Sequence, residues 1–97
     1  MKSFLIDIMD STVVKVQAFS NYCEAVYQFR LEMDNLQLSA RKEKINLSII
    51  HIQHNTNLII KVDGIVIAEK KIVSREGLRG LKYTDNLRLE LINLGYY

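Results

Sequence analysis

From Ser74 to Lys82 the chain reads Ser-Arg-Glu-Gly-Leu-Arg-Gly-Leu-Lys. Glycines let a backbone approach a ligand closely, and guanidinium groups clamp phosphate or carboxylate through paired hydrogen bonds. The spacing matches neither the P-loop nor the dinucleotide fingerprint. A glycine-softened turn between strands is the plainer reading of Gly77 and Gly80. Lys70 and Lys71 lie just upstream, so Lys70, Lys71, Arg75, Arg79 and Lys82 are opposed only by Glu76. Tyr83, Tyr96 and Tyr97 are close by in sequence, and tyrosine and arginine are favoured interface anchors. These eight residues form the candidate set for binding a protein partner or nucleic acid. Arg41, Lys42 and Lys44 make a second basic cluster.

Other reactive residue types are sparse. His51 and His54 are the only histidines, and in a strand positions three apart face opposite ways, so no shared metal ion is expected. Cys23 stands alone and reads as a buried, inert thiol beside an apolar helix stripe. No serine lies in a Gly-x-Ser-x-Gly elbow. Asp7 and Asp10 are close in sequence, but nothing brings a substrate pocket to them. Glu24, Glu32 and Asp34 read as a solvated helix face. The expectation is a non-enzymatic protein with no catalytic residue, no metal and no cofactor.

Ninety-seven residues make one compact domain, residues 1–97, which buries about two thirds of its unfolded surface. Apolar residues are 48% and charged residues 25%, an ordinary globular balance. The net charge of +2 does not by itself argue for nucleic acid, but its distribution is polar. Residues 1–34 hold three basic and five acidic side chains, whereas residues 35–97 hold ten and six. Such asymmetry steers acidic partners. Every apolar stretch is broken by charge within a few residues, so neither a membrane span nor a signal peptide is expected. The single cysteine fits a reducing, cytoplasmic setting. Proline and tryptophan are absent while Ile, Asn and Lys are frequent, a composition associated with AT-rich bacteriophage or mobile-element genes.

The elements that must position these residues follow from periodicity. Residues 3–9 and 12–19 alternate and flank the turn signal Asp10-Ser11, which predicts a hairpin. Residues 22–42 fit both a helix (Tyr22, Val26, Phe29, Met33, Leu36, Ala40) and a strand. The capping pair Asn21 and Glu24, the length, and the closing Arg41, Lys42 and Lys44 favour the helix. Residues 45–54 read as a strand, and the Ile49-Ile50 doublet suggests a bulge or burial on both faces. Asp63-Gly64 joins two β-branched runs in a tight type I′ hairpin whose second strand runs to about Val73. Ser74 caps a short helical turn at most, and Leu87, Leu89 and Leu91 alternate, which favours a final strand, while Leu87, Leu91 and Leu94 also fit a helix. The predicted fold is α+β, with one principal helix on an antiparallel sheet of five or six strands, the alternative being a mostly-β meander. Its expected core is Phe4, Ile6, Ile8, Val14, Val16, Val26, Phe29, Met33, Leu36, Ile45, Leu47, Ile49, Ile60, Val62, Ile65, Ile67, Leu87, Leu89 and Leu91.

The order helix, strand, strand, strand over residues 22–73 is similar to a double-stranded-RNA-binding domain, a family that grips phosphates through a Lys-Lys-x-Ala-Lys motif on its last helix. Ser74 to Gly80 is the corresponding stretch here. It lacks that motif, so no residue is carried over. Phe29 to Gly95 resembles the globular part of a minor type IV pseudopilin, with a long helix ahead of an antiparallel sheet, though residues 1–19 read as strands rather than a membrane helix. The functional expectation is a small protein-binding module, an inhibitor or regulator encoded by a phage or mobile element. The alternative is nucleic-acid binding through residues 70–82. Uncovered sheet edges also point to self-association.

Overall fold

A computed structural model describes residues 2–53 and 56–96. The first hairpin is β1 (Ser3–Met9) and β2 (Thr12–Phe19), joined at Asp10 and Ser11, both at positive φ as the tight turn demands. Helix α1 (Tyr22–Glu43) follows. The Asn21 side chain accepts a hydrogen bond from Glu24 N at 2.9 Å, and Glu24 Oε2 accepts one from Ser20 N, so the cap works in both directions. Lys44 closes the helix in the left-handed conformation, with Arg41 and Lys42 in the last turn.

The remaining strands are β3 (Leu47–Gln53), β4 (Asn57–Val62) and β5 (Ile65–Ser74). Val62 pairs with Ile65 across the Asp63-Gly64 turn, and both turn residues have positive φ. The five strands form one antiparallel sheet in the order β2-β1-β5-β4-β3. The chain closes with α2 (Arg75–Leu78), a single turn capped by the Ser74 hydroxyl, and α3 (Asp85–Asn93). The fold is therefore α+β, with one main helix packed on a five-stranded antiparallel sheet.

The sheet has two apolar faces. Leu5, Leu58 and Ile60 pack with Phe29 under α1, joined by Met33, Leu36, Leu47, Ile49, Ala68 and Ile72. On the opposite face Phe4, Ile6 and Val13 pack against Leu78, Tyr83 and Leu91 from the C-terminal segment. That second layer explains the one element that differs from expectation. Residues 87–91 are helical, not a strand, because Leu87 and Leu91, four apart, both reach this core while Leu89 is 60% exposed. Alternating leucines satisfy either period, and the face left bare by α1 selects the helix.

Several side chains also depart from the expected core. A bulge between Asp7 and Ile8 shifts the register of β2 by one residue, so Val13 is buried and Val14 is exposed. Ile45, Ile65 and Ile67 are exposed. The helix turns Ala25, Phe29 and Ala40 inward, which leaves Tyr22 on the surface and Cys23 exposed rather than buried. In β3 the doublet is split: Ile49 packs under α1, Ile50 is exposed, and a register shift follows between His51 and Gln53.

The helix orientation makes a prediction. Phe29→Ala should lower unfolding free energy by about 3–5 kcal/mol. Tyr27→Ala, at a position 70% exposed, should change it by less than about 0.5 kcal/mol. Urea denaturation of both variants checks the contrast.

Candidate functional site

Strand geometry decides what becomes of the basic segment. Consecutive residues of a strand point to opposite faces, and β5 carries both Lys70 and Lys71. Lys70 turns toward α1. It sits directly across from Asp7 of β1 and from Leu58 of β4. Its ammonium donates to Asp7 Oδ1 at 2.5 Å and to Glu32 Oε1 at 2.7 Å, and the residue is only 6% exposed. The other Glu32 oxygen accepts from Gln17 Nε2 at 2.9 Å and Gln28 Nε2 at 2.8 Å.

Burial alone would raise the Glu32 carboxyl. The hydrogen bonds from Lys70, Gln17 and Gln28, with the Lys70 charge, outweigh it and lower the pKa from 4.5 to about 2. Two carboxylates thus neutralise the lysine, and it has no charge to offer an outside partner. An open hollow of about 360 Å³ lies beside the triad, lined by Val14, Leu36, Ile60 and Ala68 as well as by the charged groups.

Lys71 emerges on the opposite face and pairs with Glu69 at 3.4 Å. Arg75 donates to the Gly95 carbonyl at 2.6 Å, which ties α2 to the residues after α3. Arg75 and Arg79 flank an open hollow of about 480 Å³ together with Ser74 and Glu76. Lys82 is exposed, and its carbonyl accepts from Val13 N at 2.7 Å. Tyr83 is core: it is buried, and its hydroxyl donates to the Leu78 carbonyl. The Tyr96 ring meets Phe4 edge-on at 5.2 Å, with Lys2 over its face at 4.8 Å. Tyr97 and His54 lie outside the described residues. Of the eight candidates the fold therefore brings Arg75 and Arg79 to one hollow, sends Lys70 to an internal ion cluster and uses Tyr83 for packing. Arg41, Lys42 and Lys44 are exposed at the end of α1. Among the described residues no group of three His, Cys, Asp or Glu could hold a metal ion, and no helix is long and apolar enough to cross a membrane.

A different surface emerges from the strand register. On the face opposite α1 one row runs Ile50, Ile59, Glu69, Ile8 across β3, β4, β5 and β1, and the next runs Ser48, Lys61, Val66. The C-terminal segment covers the β1–β2 end, where Ile8 joins the core. Beyond the Glu69–Lys71 pair the sheet is open. Val66 is 56% exposed and Ile52 57%, and Ile50 is exposed as well. Sequence reasoning passed over these residues because their alternation looks like burial. The signal available was β3 itself, seven residues without a formal charge.

Comparison with protein-family models, with curated proteins and with solved structures finds no match to this chain.

The Glu32 environment predicts a pH dependence. A carboxyl with a lowered folded-state pKa stabilises the fold fully above its ordinary value of 4.5, and that contribution disappears as pH falls toward about 2. Stability measured by urea titration should fall over that window in the wild type and fall less in Glu32→Gln. Lys70→Met should cost about 3 kcal/mol at pH 7, since it leaves two carboxylates side by side without their counter-ion.

Proposed function

We propose that the protein is a small non-enzymatic protein-binding module, of the kind that inhibits or regulates a partner, and that it binds through the open half of its sheet. The observation that carries this reading is the exposed apolar surface of Ile50, Ile52 and Val66 beyond the Glu69–Lys71 pair. Isolated exposed apolar residues are ordinary, but a contiguous set on a flat sheet face marks an interaction site. Lys61 lies within the patch, directly across from Val66, and Lys71 borders it, which suits a partner that is apolar with acidic groups to meet these two lysines. A regulator from a phage or mobile element, acting in the cytoplasm, is the version that composition and the lone cysteine support.

Nucleic-acid binding is the second reading, and the hollow between Arg75 and Arg79 favours it. With Lys70 neutralised internally, the basic segment is left with fewer phosphate contacts than the sequence suggests. Its affinity would come from phosphates and fall steeply with salt.

Two variants separate the readings. Val66→Lys places a charge in the open face, and Arg75→Glu with Arg79→Glu reverses the hollow. With tagged protein expressed in its native host, Val66→Lys should reduce co-purified partner at least tenfold while the double variant retains it, both keeping the wild-type melting temperature. Tight, salt-sensitive binding to labelled duplex or single-stranded nucleic acid by fluorescence anisotropy, abolished by the double variant, would replace the first reading with the second.

A further inference from the structure

The two edges of the sheet are treated differently. The β2 edge is closed at Val13, whose N–H donates to the Lys82 carbonyl and whose carbonyl accepts from Thr84 N, with Tyr83 in a parallel bridge beside it. Lys15 adds a charge on the same strand. Among the described residues the β3 edge has none of these devices. It is the last strand of the sheet, seven residues long, with no Lys, Arg, Asp, Glu or Pro, and with Ile50 and Ile52 exposed. Proteins ordinarily blunt such an edge with charge, proline or a covering segment. The one irregularity, between His51 and Gln53, is confined to its end.

We propose that β3 pairs with β3 of a second copy of this chain, in antiparallel register about a two-fold axis, to form a continuous ten-stranded sheet. This deepens the protein-binding reading by naming one partner, and the open faces of the two copies would then join into one platform. The composition of β3 favours a second copy, and the closed β2 edge favours a pair over open growth. An uncharged strand meets itself without like-charge repulsion, although the chain as a whole carries +2. Antiparallel self-pairing is isologous and closes at two. Head-to-tail growth of β3 onto β2 is hindered by residues 82–84 at Val13.

The hydrogen-bond pattern sets the register. The Asn46 carbonyl accepts from Asp63 N, so it points at the end of β4. Alternation then turns Ser48 and Ile50 toward β4 and Leu47 and Ile49 outward. The outward set pairs most fully with Ile49 on the two-fold axis, which places Ile50 opposite Ser48 of the other copy. A seven-residue seam is small beside the roughly 1,600 Å² of a standard interface, so the dissociation constant should be on the order of micromolar.

Sedimentation equilibrium under reducing conditions, which keep the exposed Cys23 from cross-linking, tests this over about 1–500 µM. The expected result is a rise from the 11.3 kDa chain mass to twice that value, with the Ile49 amide gaining hydrogen-exchange protection as the dimer forms, whereas the Leu47 amide already donates to the Ile45 carbonyl at 3.0 Å. Ile50→Lys should weaken association at least tenfold and leave the melting temperature of the dilute protein within a few degrees. Val66→Lys, away from the seam, should still dimerise. A single-chain mass at every concentration would overturn the proposal, as would a dimer that survives Ile50→Lys without protection in β3. In either case partner capture that is sensitive to Val66→Lys would leave the protein-binding reading standing. A dimer with no such capture would do the reverse.

Discussion

The structure hangs on the contact between β1 and β5. These strands are more than sixty residues apart in sequence, and their pairing is what joins the N-terminal hairpin to the three-stranded remainder of the sheet. Asp7 and Lys70 face each other in that register, and Glu32 reaches the same ammonium from α1. One lysine thus ties two strands and the main helix together. A one-residue slip of β1 would send Asp7 to the other face and leave Lys70 and Glu32 without it. It would also exchange Leu5, which belongs under α1, with Phe4 and Ile6, which belong under the C-terminal segment. Ion cluster and apolar alternation therefore specify the same register. A buried ion pair adds little net stability over apolar packing, but losing one member is costly, so the cluster penalises any register that leaves Lys70 or a carboxylate unpaired.

From that register the surfaces follow. A sheet with two apolar faces needs two covering layers, and the described residues supply one long helix and two short ones. Helix α1 lies over one face. The C-terminal segment, tied down through Tyr83, Tyr96 and Arg75, closes the β2–β1 end of the other. Among the described residues, what remains open is the end of the sheet away from β2, with Ile50 and Ile52 of β3 and Val66 of β5 exposed. The open surface is thus a consequence of how far the covering layers extend, whereas of the basic segment Lys70 is spent inside the fold and Arg75, Arg79 and Lys82 stay exposed.

The hairpins and the helix were legible from sequence because local signals agreed. Asp10-Ser11 and Asp63-Gly64 supplied the turns, and Asn21 with Glu24 supplied the cap. What was not legible depended on contacts distant in sequence. The leucines at 87, 89 and 91 fit both periods, and only the bare sheet face resolves them. The bulge after Asp7 exchanges Val14 for Val13, and no residue type announces it. Lys70 and Lys71 looked equivalent in a basic run, yet the strand period alone was enough to part them, and the two partners of Lys70 sit 63 and 38 residues away. The candidate site was read as a cluster in sequence, and a strand turns every second residue of such a cluster to the other face.

Lys70 serves the fold as a counter-ion rather than a partner as a binding group. A thermodynamic cycle tests it most directly. Unfolding free energies would be measured at pH 7 for Lys70→Met, for Asp7→Asn with Glu32→Gln, and for all three together. Strong coupling is expected: neutralising both carboxylates should recover at least half of the stability that Lys70→Met removes. Strictly additive losses, or a Lys70→Met variant as stable as the wild type, would contradict it.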